Sequence, residues 1–426
     1  LSAAGRCASL KRPKGPGPAE KNATDPMTPT VSTPVEGGRR TATDIARRSI
    51  LFLFGFAAPI DTTVILLATV LLVLLWLAEG GWRRTIGVIR HEPVGAVALA
   101  LFGLFVIGTL YAPIPWSDTL ATLKKYRELA LIPIAIACCR AAADRRAILY
   151  GFVAAVGLNV ALSYVEATGA INVGRQHEDT GLQHRIVFGT FAALAAFWAA
   201  HRAGRVANRQ VAMLLGLLAV AAAASVLGIA ASRTGYAILA ALALLFAFQR
   251  YGGRGLLGGI VMVALLGALA YAAVPRFASK IDQTRTELIA FDQGEPGGSA
   301  GSRLGDWRQS LAVVGAAPVF GHGTGGFPPA FAELSGEARP PAHPHNEYLM
   351  IASQLGVVGL GVFLWLLWCA WRSTRRMPAD DALVAQGVVV AFALTCLFNS
   401  ALLNSPEGHA FAALIAAFWT PAGGRS

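Results

Sequence analysis

His345 and Asn346 stand where a long polar stretch, His343-Pro344-His345-Asn346-Glu347, gives way to an apolar one. An imidazole titrates near neutrality, so a histidine at such a boundary can take a proton from a hydroxyl. Nine residues follow Asn346 before Gly356, and two more precede Gly359. At about 3.6 residues per turn, these offsets predict one helix face with His345 at its outer end and two glycines deeper. Glycines there would let another helix approach closely. Ser232-Arg233-Thr234-Gly235 and His184-Arg185 each open a further apolar run. Arginine presents a planar fork suited to phosphate oxygens. Each arginine alone is equally compatible with snorkelling to lipid headgroups, but two of them beside a histidine favour a site. Capping of the following helix by Asn346 or by His345 itself is the plainer reading of that pair.

The elements that must hold these residues are membrane helices. The 426-residue chain is 55% hydrophobic and 14% charged, with mean hydropathy +0.54; soluble proteins carry about 25% charged residues. Twelve apolar runs are candidate spans, near 46–60, 62–78, 94–111, 124–139, 147–168, 185–201, 210–231, 234–249, 255–274, 346–371, 382–403 and 407–421. Arginines cluster after the second, fourth, sixth, eighth and tenth runs, on the same side as the basic N-terminal stretch. Short-loop arginines mark the cytoplasmic side, so both termini are expected there. The net charge of +12 then reports topology, and its scatter over short loops gives no support to nucleic-acid binding. Residues 1–45 read as a disordered tail, with 1–26, ahead of Met27, read as upstream or added sequence. Helices one to nine occupy 46–274, a large outer loop 275–345, helices ten to twelve 346–421, and a short tail 422–426.

The outer side is unusually cationic, with Lys124, Lys125, Arg127, Arg185 and Arg233 against the charge rule. Within the large loop, Ser302 is a candidate cap for a helix carrying Arg303 and Trp307. Gly321-His322-Gly323-Thr324-Gly325-Gly326 lacks the Lys-Ser/Thr of a P-loop and reads as a tight turn. His343, His345 and His322 lack a cysteine or clear carboxylate to complete a zinc set, so no metal and no cofactor is expected. The five cysteines, Cys7, Cys138, Cys139, Cys369 and Cys396, all lie outside the large loop and indicate no disulfide there.

At these residues the chain resembles the O-antigen ligase and polymerase superfamily of bacterial inner-membrane proteins. The shared pattern is His, then Asn, Ser or Gln, nine residues, Gly, two residues, and Gly, Thr or Tyr. Here it reads His345-Asn346, then Gly356-Val357-Val358-Gly359. Ser302-Arg303-Leu304 with Trp307 and the stretch 318–327 support it, Ser232-Arg233-Thr234-Gly235-Tyr236 looks like the family's arginine turn, and Arg185 matches less specifically. The resemblance implies an all-α polytopic fold of the membrane glycosyltransferase C type, about twelve helices with one large periplasmic loop between the ninth and tenth. It implies a Gram-negative inner-membrane enzyme acting at the periplasmic face. The donor would be an undecaprenyl-diphosphate-linked O-antigen and the acceptor a sugar hydroxyl of lipid A–core, giving complete lipopolysaccharide. Transfer would be inverting and metal-independent. His345 would be the general base and Arg185 and Arg233 the diphosphate ligands, with Asn346, Arg303, His343, Gly356 and Gly359 in support.

Two rivals come from the same superfamily, an O-antigen polymerase and a protein O-oligosaccharyltransferase. A secondary transporter is the rival of another class. Against it stand the lack of an internal repeat and the gathering of polar residues on one side instead of at the midplane.

Overall fold

The computed structural model describes residues 34–171, 173, 180–295 and 297–419, with side chains from residue 42. Residues 44–426 form one unit, distinct from residues 1–43. Regular structure among the described residues is helical: α1 (Pro34–Ala57), α2 (Thr62–Ala78), α3 (Trp82–His91), α4 (Pro93–Gly108), α5 (Trp116–Lys125), α6 (Arg127–Cys138), α7 (Ala142–Ala167), α8 (Arg185–Ala203), α9 (Arg209–Ser225), α10 (Arg233–Ala273), α11 (Pro275–Asp292), α12 (Gly298–Ala316), α13 (Phe327–Ser335), α14 (Glu347–Ser373), α15 (Ala379–Phe398) and α16 (Ser405–Phe418). The first helix thus begins at Pro34, ahead of the expected start at 46. The rest of the expected N-terminal tail, 1–33, and the tail 422–426 lie outside the described residues.

Six described helices are long and apolar enough to cross a membrane: α7, α8, α9 with its extension to Ala230, α10, α14 and α15. A seventh arises if α2 and α3, bent by 100°, count as one span. The chain is therefore a multi-pass membrane protein, with fewer full-length spans than the twelve runs suggest. At 16, 12 and 14 residues, α4, α6 and α16 fall short of the roughly 20 that a span needs. They pack on one another's neighbours in the bundle core: α6 lies against α4 and α16, and α16 is buried along most of its length. The run 124–139 is not one helix, because the chain turns at Tyr126 between α5 and α6. The runs 234–249 and 255–274 share one element, α10, broken at Gly252 (φ 63°, ψ −148°), a region open essentially to glycine alone.

The stretch 275–345 contains α11, α12 and α13. Ser302 does not cap α12, which already starts at Gly298; it lies within the first turns. The glycine turn after α12 does more than reverse the chain. Gly321, Gly323 and Gly325 all have positive φ, and the turn docks into a break in α14. His322 N–H donates to the Ser353 carbonyl at 2.9 Å, Gly323 N–H to that of Gln354 at 2.9 Å, and Val357 N–H to that of Pro318 at 2.8 Å. Thr324 Oγ1 donates to the Phe105 carbonyl at 2.6 Å, tying the turn to α4 as well. The break is Gly356 (φ 64°, ψ −163°), where a Cβ would sit 2.1 Å from the Val319 oxygen. The two-glycine face expected on a straight helix is therefore absent. Gly356 opens α14 to the loop backbone, and a Cβ on Gly359 would meet the Leu355 side chain rather than another helix.

Cysteine labelling tests the orientation. A cysteine at exposed Ala338 should react with a membrane-impermeant reagent in spheroplasts, and one at exposed Ala207 should not. Labelling at Ala207 alone would invert the expected topology.

Candidate active site

Three local devices position the candidate residues. Ser232 Oγ accepts from Gly235 N–H at 3.3 Å and starts α10 at Arg233. His184 Nδ1 accepts from Ile186 N–H at 3.4 Å and starts α8 at Arg185. Asn346 Oδ1 accepts from Leu349 N–H at 3.0 Å and starts α14. Two glycines bring the first two helices together: a Cβ on Gly189 of α8 would lie 3.2 Å from the Cα of Gly235 of α10. That close approach is one turn below Arg185 and half a turn below Arg233.

Because Asn346 serves as the cap, the His345 ring is left for something else. His345 precedes the helix instead of lying on its face, at a left-handed φ of 53° that histidine adopts more readily than most residues. Its ring is half-buried and stacks edge-on against His343, with centroids 4.4 Å apart. The His345 backbone N–H donates to His343 Nδ1 at 3.3 Å, which fixes the turn. A second tether comes from α12, where Trp307 Nε1 donates to the Pro344 carbonyl at 2.9 Å. Trp307 and Arg303 are four residues apart and share one face of α12, and the Arg303 charge acts on both His343 and His345. Trp307→Phe, which deletes only the donor and keeps an aromatic ring, should lower turnover about tenfold with little change in expression. Unchanged turnover would remove the tether from the account.

Charge dominates this end of the bundle. Burial lowers the His345 pKa, the Arg303 charge lowers it further, and the Asn399 side chain works the other way. Asn399 does so without closing a bond of ordinary geometry to the buried Nδ1. The same causes act on His343, pushed down to about 4 by burial and then by His345, Lys125 and Arg303. Arg303 is itself lowered, by burial first and then by Arg233 and Arg185. It makes no ion pair among the described residues. Lys280 is lowered by burial and by the same two arginines. Arg233 is more fully engaged: NH2 donates to Glu287 Oε2 at 2.6 Å and NH1 to Ser299 Oγ at 3.1 Å, leaving Nε buried without a partner. Glu287, though burial opposes it, is held below the usual carboxylate range by the Ala300 N–H and by Arg233.

The sequence-predicted residues Arg185, Arg233, Arg303, His343 and His345 thus fall in one electrostatically coupled cluster, with Asn346 beside it as a cap. Gly356 and Gly359 lie inside α14, where Gly356 breaks the helix and Gly359 packs beneath the Leu355 side chain. Sequence reasoning missed Lys280, Glu287 and Asn399. Lys280, Gln283 and Glu287 share a face of α11 by their spacing, which was the available signal. Asn399 interrupts the apolar run 382–403, and its Nδ2 donates to the buried Glu407 Oε1 at 2.9 Å. His322, once a candidate third metal ligand, has Nε2 2.9 Å from the Val313 carbonyl. Among the described residues no group of three or more His, Cys, Asp or Glu is arranged to hold a metal ion.

No curated protein matches the chain. Residues 217–364, which hold Arg233, Arg303, His343, His345 and Asn346 but not Arg185, match the family model described as O-antigen ligase. Over that stretch, about a third of the chain, the sequence is similar to the O-antigen ligase family.

Proposed function

We propose that this protein is an O-antigen ligase. It transfers O-antigen polysaccharide from undecaprenyl diphosphate to a sugar hydroxyl of lipid A–core at the periplasmic face of the inner membrane. The observation that carries the reading is a half-buried His345 that helix capping does not use and on which the Arg303 charge acts, with Arg303 in turn under the charges of Arg233 and Arg185.

His345, neutral, accepts the proton of the acceptor hydroxyl as its oxygen attacks the anomeric carbon. The bond from that carbon to the diphosphate oxygen breaks, and the electron pair leaves with undecaprenyl diphosphate. Attack opposite the leaving group inverts the anomeric centre. The arginines stabilise the charge that grows on the leaving diphosphate, the task that a divalent ion performs in other transferases. Arg303, without an ion pair of its own, is the readiest of the three. Arg233 is oriented by Glu287 and offers its fork after exchange with that carboxylate. Low pKa values at His343 and His345 keep the imidazoles neutral beside so many cations, so the base is available without prior deprotonation.

Lipopolysaccharide gels of a deletion strain test the assignment. Loss of the O-chain ladder with accumulation of long lipid-linked chains is expected. A core bearing a single repeat would instead make the enzyme a polymerase, and an intact ladder with an altered glycoprotein profile would make it a protein O-oligosaccharyltransferase.

A further inference from the structure

At the opposite end of α8 from Arg185, two facing stripes change character at the same depth. On α8 the stripe runs Ala193, Ala196, Phe197, Ala200, then His201, Gly204 and Arg205. On α10 it runs Leu239, Leu242, Ala243, Phe246, then Gln249 and Arg250. The spacings of three and four keep each stripe on one helix face. The apolar part forms a groove of about 290 Å³, closed on its third side by Ala219, Val220 and Ala223 of α9. Val220 is 68% exposed, so this flank opens toward the hydrocarbon of the membrane. The polar part is a pocket of about 220 Å³ that shares Ala200 and Phe246 with the groove and reaches Leu383 of α15. One continuous cleft therefore has an apolar stem and a cationic head.

The head is built from side chains that fix one another. His201 is 7% exposed, and the Gln249 side chain is its hydrogen-bonding neighbour. Gln249 Nε2 donates to the Leu383 carbonyl at 3.1 Å and to Gln386 Oε1 at 2.8 Å, which fixes the amide and turns Oε1 toward His201. Arg205 is neutralised by Asp380 at 2.6 Å. Arg250, from α10, makes no ion pair among the described residues. The cleft thus offers one free guanidinium, that of Arg250, above a fixed His201–Gln249 pair.

We propose that this cleft binds one anionic phospholipid in the leaflet away from His345. Its acyl chain fills the α8–α9–α10 groove, and its phosphate pairs with Arg250. An ethanolamine headgroup is disfavoured because its ammonium would face the unpaired Arg250. The site is independent of the transfer reaction and some 25 Å from it, given about 1.5 Å of rise per residue along α8.

Native mass spectrometry of the full-length protein in detergent, titrated with palmitoyl-oleoyl phosphatidylglycerol, tests this directly. The wild type should retain one lipid at low stoichiometry. Arg250→Ala removes an exposed charge and is expected to fold, and it should weaken retention about tenfold or more, the effect of one charge-assisted hydrogen bond. Ala196→Phe, which fills the stem, should do the same through a different part of the cleft. Arg83→Ala, an arginine of α3 remote from the cleft, should leave retention unchanged. Equal retention of phosphatidylethanolamine, or full retention by Arg250→Ala, would overturn the proposal. Equally tight binding of sn-glycerol 1-phosphate alone would overturn the lipid assignment in favour of a soluble anion.

Discussion

His345→Asn should reduce turnover by about a hundred- to ten-thousand-fold, the usual contribution of a general base, while binding of the lipid-linked donor changes little. Asparagine is the informative replacement because the position has φ 53°, and asparagine tolerates the left-handed region where alanine is strained. His345→Ala combines loss of the base with that strain, so a larger loss in alanine than in asparagine measures the backbone part. The pH profile carries a second signature. The base works as neutral imidazole, and burial together with Arg303 lowers its pKa. Activity is therefore retained below the ordinary histidine value of about 6.5 and falls only as pH drops through the lowered folded-state value. His343→Ala should be milder, because His343 braces the turn through its bond from the His345 N–H. Substantial turnover in His345→Asn, with the acid limb intact, would sink the base assignment.

Arg303→Ala should lower turnover about a hundredfold or more, the loss seen when a preorganised donor to a developing anion is removed. It should also move the acid limb upward toward the unperturbed histidine value, because the second cause of the low His345 pKa is gone. A purely structural arginine would lower activity without moving that limb. Arg303→Lys should recover only part of the rate, since an ammonium cannot reproduce a bidentate fork. Arg233 needs a control, because Arg233→Ala also strips Glu287 of its partner. If Glu287→Gln keeps most activity while Arg233→Ala does not, the guanidinium acts on substrate and not merely through the ion pair. Wild-type rates in both Arg303→Ala and Arg233→Ala would remove the diphosphate clamp.

The sequence carried the local chemistry of this site better than its architecture. Arg185, Arg233 and Asn346 fall at helix starts because His184, Ser232 and Asn346 are polar caps ahead of apolar runs, a signal confined to a few residues. The break at Gly356 was not legible in the same way. The apolar pattern runs through it unbroken, and only the docking of residues 318–323, brought in from a distant stretch, makes a left-handed glycine necessary there. The run 124–139 misled for a related reason: fully buried short helices and membrane spans are equally apolar, so hydropathy alone cannot separate them. Lys280 and Asn399 were missed because each is ordinary in its own segment and acquires meaning only from neighbours on other helices.

The docked glycine turn has a consequence for how this protein could be recombined with relatives. The turn's amides are satisfied by carbonyls of α14, and the α14 amide after the break is satisfied by Pro318. Neither partner carries its own hydrogen-bond complement, so residues 275–345 are not a transplantable module. A chimera that exchanged that stretch alone would set a foreign turn against the native seam and leave buried amides orphaned on both sides. An exchange that runs through Gly359 keeps this seam whole and has only to preserve the anchor of Thr324 on the Phe105 and Gly108 carbonyls of α4; substrate preference should travel with that longer segment.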